Sequence, residues 1–147
     1  MIVAELTCAL AVQLCQKVME EGGRKGLQPL CAVVLDAGGN LLALHRDERS
    51  SIGRPQIATA KAYGCLALGV GGRELKKRAG VMPGFFTGAA SIFPSGIVPV
   101  PGGVLIRDKD GALLGAIGVS GDVSEADEAC AVAALGDVGL VADVGAE

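Results

Sequence analysis

Two apolar runs joined by an Asp-Gly pair constrain this chain more than any other feature. Val104–Arg107 and Ala112–Val119 read as strands, and Asp110-Gly111 between them offers the positive φ values of a two-residue hairpin. The second run leaves through Gly118-Val-Ser-Gly121 into Asp122, Ser124, Glu125, Asp127 and Glu128, an acidic helix start. Glycines at such an exit leave backbone N–H groups uncovered, and uncovered N–H groups hold anions. The spacing therefore predicts an anion-binding turn at Gly118, Ser120 and Gly121, with the Ser120 hydroxyl as a further donor. The alternative is a plain strand exit and helix cap needing positive φ.

The rest of the chain supplies matching elements. Thr7 caps a helix whose Leu6, Leu10, Leu14 and Val18 repeat every fourth residue, and Gly22-Gly23 stops it. Leu30–Leu35, the turn Asp36–Asn40 and Leu41–His45 form another hairpin. Pro55–Leu68 reads as a helix so rich in Ala and Gly that it can lie close on a sheet. Arg73–Arg78 gives one or two polar helical turns, and 79–101, where Gly, Pro and Phe displace any periodicity, reads as a long loop. Ile97–Val100 is a candidate fifth strand. The last helix runs from Ser124, paired with Asp127 in a capping box, to Gly136, and a frayed tail follows. This order predicts an α/β (α+β) domain: a profilin-like or PAS/GAF-type sandwich, with an antiparallel sheet of about five strands flanked by helices. The 147 residues make one domain, with its core at about 7–136.

Composition excludes several function classes. The net charge of −3 without a basic block, and the 3% of aromatic residues, argue against nucleic acid as a partner. No run reaches the roughly 18 apolar residues of a membrane span, and no secretory leader is evident, so no membrane association is expected. The five cysteines contain no CxxC pair and sit in apolar stretches, which fits free thiols in a reducing cytoplasm. The 23 glycines and the apolar balance point to a homo-oligomer, dimer or higher. No nucleotide cofactor is expected, since Gly69–Gly72 is too irregular for a dinucleotide turn and no phosphate loop occurs.

Some residues stand out chemically. His45, the single histidine, ends a strand; it is either a structural or solvent-facing side chain or a metal ligand or proton carrier, and it is the one metal candidate. Arg46 follows it. Lys61 lies among alanines and either joins an acid such as Asp127 in a buried ion pair or faces an anionic ligand. In a catalytic reading, Lys61 or Asp127 handles protons while Arg46 orients a carboxylate. Phe85, Phe86 and Phe93 gather all the phenylalanine in one segment, as a pocket wall or subunit contact, and Gly102-Gly103 lets backbone pass close to whatever that segment encloses.

Val33–Arg46, Ile57-Ala-Thr-Ala-Lys-Ala62, Gly102-Gly103 and Gly115–Gly121 with Asp127-Glu128, in this order, resemble the GlcG/HbpS-like haem-degrading domain family, also found as the C-terminal domain of PduO-type cobalamin adenosyltransferases. The resemblance covers about Thr7 to Gly136. It implies the profilin-like fold, assembly into dimers or larger species, haem as the cofactor of some members, and gene neighbourhoods of small-molecule catabolism for many. One departure concerns haem. In haem-binding members of the PduO type a histidine on the first helix is the axial ligand, whereas this helix carries Gln13, Cys15, Gln16 and Met19. The expected function is binding of haem, another tetrapyrrole or a small organic anion by Arg46, Lys61, Phe85, Phe86, Phe93, Gly102, Gly103, Gly118, Ser120 and Gly121, near a subunit interface. The alternatives are a cofactor-free lyase, isomerase or hydrolase using the same pocket, and a non-catalytic assembly module.

Overall fold

A computed structural model describes residues 5–145. Five strands, β1 (Cys31–Asp36), β2 (Leu41–Arg46), β3 (Gly103–Arg107), β4 (Leu113–Ser120) and β5 (Val141–Asp143), form one sheet in the order β2-β1-β4-β3-β5. Every neighbouring pair is antiparallel. Helices α1 (Cys8–Arg24), α2 (Arg54–Leu68), α3 (Gly72–Val81), α4 (Pro83–Ile92) and α5 (Ser124–Asp137) cover it.

The continuous apolar run of β1 follows from burial on both faces. Ala32 and Val34 join α1 and α5 through Leu14, Val18, Cys130 and Ala134, while Cys31, Val33 and Leu35 face Ala58, Ala62 and Cys65 of α2. Three layers result, with the sheet in the middle. The Thr7 hydroxyl accepts from the Leu10 amide at 3.1 Å and caps α1 as expected.

The central hairpins, β1–β2 and β3–β4, turn in the same way. Asp36 Oδ1 accepts from the amides of Gly38 and Asn40, and Asp108 Oδ1 accepts from those of Asp110 and Ala112. Gly39 and Gly111 take φ of 83° and 87°. The β3–β4 connection is therefore not the two-residue Asp110-Gly111 turn: β3 ends at Arg107, β4 begins at Leu113, and Asp110 keeps a negative φ. An aspartate bound to its own downstream amides sets the longer turn.

Three further expectations are corrected. Residues 83–92 are helical, because Pro83 suits a first turn and Phe86 and Ala89 bury one side of α4. The fifth strand is Val141–Asp143, not Ile97–Val100; it pairs with Leu105–Arg107, while Ile97 instead fills the space above Gly64. Helix α5 is entered through Val123 with no side-chain cap, so the Ser124–Asp127 box does not form. Asp127 is drawn elsewhere.

Candidate functional site

Helix α2 reaches the sheet where two glycines face each other. Gly103 and Gly118 are cross-strand partners. A β-carbon on Gly118 would collide with the Ala58 carbonyl oxygen, and one on Gly103 would strike the Lys61 carbonyl and lie 2.7 Å from Cys65 Sγ. The small residues on both sides thus bring the helix backbone against the strand backbone.

From this close seat Lys61 extends past Gly102, whose φ of 115° and missing side chain clear its path; a β-carbon there would lie 2.7 Å from Nζ. The ammonium donates to the Val119 carbonyl at 3.0 Å and to Asp127 Oδ2 at 3.1 Å. Asp127 belongs to α5, on the opposite face of the sheet from α2. Its second oxygen accepts from the Asp122 amide at 3.0 Å. Both side chains are buried, at 4% and 0% exposure. Burial pushes the Asp127 carboxyl above its ordinary range, opposed by the charge of Lys61. The geometry is that of the ion-pair alternative, linking the outer layers just before β3 begins.

The cations at the neighbouring end of the sheet are arranged differently. Arg46, Cys31 and Ser120 stand in register across β2, β1 and β4, so their side chains share the α2 face. Arg46 donates to the Ser50 carbonyl at 2.6 Å. Arg54, at the start of α2, donates from Nε to Ser51 Oγ at 3.3 Å and from Nη1 to Ser120 Oγ at 2.9 Å. Ser120 is fully buried as the acceptor for that guanidinium. Arg54 carries no signal in the sequence: it opens a helix, and only the packing of α2 on the sheet sets it beside Ser120.

The anion-binding turn expected at Gly118 and Gly121 is not built. Gly118 is sealed beneath Ala58, and Gly121, at φ 154°, packs where a side chain would strike the Pro29 carbonyl. Nor do the phenylalanines join Lys61 in one cavity among the described residues. Phe86 is buried in the α2-side core, Phe85 is 54% exposed, and Phe93 packs edge-on against Tyr63 with ring centroids 5.8 Å apart. Beside that contact, Pro94 and Ser95 with Pro55, Gln56 and Thr59 form an open depression of about 410 Å³.

His45 lies on the other face of β2. It pairs with Ala32 and is exposed. With Met19, Gly22, Leu27, Leu30, Asp47 and Arg49 it lines a depression of about 140 Å³ between α1 and the end of β2. Asp47 is held by the Arg49 guanidinium at 2.9 Å, which lowers its carboxyl to about 2. The buried thiols offer no thiolate near neutrality, since burial pushes Cys15 and Cys65 up to about 12 and Cys31 to about 11. All five cysteines are free, with Cys8 exposed.

The sequence model of the family described as haem degrading protein HbpS-like matches residues 6–136. The chain belongs to the HbpS-like family. An uncharacterized 15.0 kDa protein from the dhaT-dhaS intergenic region of Citrobacter freundii is 29% identical over 133 residues, spanning 90% of this chain and 92% of the relative. Among solved structures, ORFY of Klebsiella pneumoniae is 27% identical, with 92% of each chain covered and a TM-score of 0.78. The PduOC:heme complex is 24% identical, covers 92% of this chain and 96% of its own, and has a TM-score of 0.80, a likeness that establishes the fold. Among the described residues of this HbpS-like protein, no helix is long and apolar enough to cross a membrane.

The family description raises haem, and the donor set tests it. Haem iron takes imidazole and thioether ligands, and His45 and Met19 line the same depression. Arg49 at its rim is a cation of the kind that meets propionates. The chemistry fits. The depression, at about 140 Å³, is well below the ~300 Å³ at which enclosed ligand sites begin, so it could hold the edge of such a group and not the whole of it.

Proposed function

We propose that this HbpS-like protein binds haem or a related tetrapyrrole on the face beside β2, where His45 and Met19 would hold the iron and Arg49 would face a propionate. One observation carries this reading: the only imidazole of the chain is exposed and shares a depression with a thioether. Family membership and the heme complex of a structural neighbour support it. When bound, haem supplies an iron centre for binding or activating a small oxidant. The chain contributes the imidazole, an apolar floor of Leu27 and Leu30, and the ion pair that holds Arg49 to Asp47.

Titrating the protein with haemin tests this. A Soret band that survives gel filtration is expected, with loss of the band in His45→Ala and a shifted band in Met19→Ala. An unaltered complex in His45→Ala overturns the assignment.

Assembly into a dimer or larger species is part of the same proposal, supported by the exposed apolar side chains Leu41, Leu44, Ile52 and Ile92. Light scattering of the purified chain at monomer mass would refute it. Free thiols fit residence in a reducing cytoplasm.

A further inference from the structure

The arginines of this chain divide into two sets. Arg24, Arg49, Arg78 and Arg107 each meet a carboxylate, at 2.5, 2.9, 2.9 and 2.9 Å, and Arg73 meets Glu128. Arg46 and Arg54 are held by neutral oxygens: the Ser50 carbonyl, Ser51 Oγ and Ser120 Oγ. Both are partly buried, where water compensates charge less well.

The pair is also brought together. Ser50 and Ser51 are consecutive, so one turn anchors both guanidiniums. Ser120, the second anchor of Arg54, shares a cross-strand row with Arg46 through Cys31, which puts the two α-carbons about 10 Å apart. Two of the neighbouring acids are committed elsewhere. Asp47 is fixed by Arg49, and Asp127 binds Lys61 and the Asp122 amide, so it acts on Arg54 only through space.

We propose that Arg46 and Arg54 form a binding site for a small carboxylate-bearing molecule, independent of the haem face. Two adjacent forks of N–H donors, oriented by serine oxygens but without a counter-charge, match the planar, bidentate geometry of carboxylates. A dicarboxylate engages both forks and relieves their mutual repulsion. The serine contacts position the donors in advance, so binding loses little side-chain entropy.

The test uses the haem-free full chain, nitrogen-15 labelled and titrated with succinate and, separately, with inorganic phosphate. Succinate is expected to shift the Nε–H resonances of Arg46 and Arg54 and to leave those of Arg24 and Arg78 in place. Arg46→Lys and Arg54→Lys, which keep charge but lose the fork, are each expected to weaken succinate about tenfold or more. Arg46→Gln combined with Arg54→Gln is expected to abolish the titration.

Equal shifts at all arginines, or undiminished affinity in the lysine variants, overturn the site. Binding of phosphate but not succinate overturns the ligand class. The wild-type resonances decide the matter even if the double variant fails to fold. His45→Ala should leave the succinate titration unchanged, so loss of haem binding and loss of this site are distinguishable.

Discussion

Lys61 and the Arg46–Arg54 pair lie near the same end of the sheet and use their charge in opposite ways. Lys61 is buried against a carboxylate and a carbonyl, and its Asp127 partner is itself held by a backbone amide. Its charge is consumed within the fold. The two arginines reach only serine oxygens and stay partly exposed, so their charge remains available to a ligand. Residue type does not separate the two cases; depth and the nature of the acceptor do.

The sharpest way to break this contrast is to strip Lys61 of its partner. Asp127→Ala leaves a buried ammonium uncompensated, and an unfolding free energy lower by about 3–5 kcal/mol is expected in urea titrations. Lys61→Met with Asp127→Leu should recover most of that loss, because a matched apolar pair avoids desolvating charge. A double variant no better than Asp127→Ala would show that the contact does more than hold the layers together.

Gly118→Ala is next in size. Its methyl would collide with the Ala58 carbonyl, and about 1–3 kcal/mol of destabilisation is expected, read as a lower thermal midpoint. Arg54→Gln takes the donor from the buried Ser120 hydroxyl and should cost about 1–3 kcal/mol, less than Asp127→Ala, while weakening succinate binding. A larger stability loss would move Arg54 into the same class as Lys61.

Acid provides a gentler probe. Asp36, Asp47 and Asp122 are each held below the ordinary carboxyl range, by the Asn40 amide, the Arg49 side chain and the Gln28 amide respectively. A depressed carboxyl contributes stability above its unfolded value. That contribution is therefore expected to persist above about pH 4 and to fade as pH falls toward about 2, where Asp47 titrates. Carboxyl-carbon NMR through an acid titration reads this directly. The smallest perturbation is chemical labelling: near pH 8 Cys8 should react first with a thiol reagent, and the buried thiols only after denaturant is added.

Much of the architecture was legible because burial on both faces writes itself as unbroken apolar strands, as in Leu30–Leu35, and as an alanine-rich α2 thin enough to touch them. Helix α4 was not, because Gly84, Gly88 and the clustered phenylalanines carry no periodic stripe; packing of Phe86 decides its conformation. Strand β5 is three residues long, too short for any alternation, and exists through its pairing with Leu105–Arg107. At the site, a lysine among alanines left two readings open, a buried pair with an acid such as Asp127 or a ligand contact, and the geometry is that of the pair. Arg54 carried no such signal, since a cation at a helix start is ordinary until the packing of α2 on the sheet sets Ser120 next to it.

The glycine-on-glycine seat of α2 has a mechanical corollary. A lysine side chain is of fixed length, so the span from one outer layer to the other can be crossed only while the helix rides this low. Any change that raises α2 by even a methyl's thickness retracts the ammonium from its carboxylate, making steric fit and charge neutralisation a single cooperative variable.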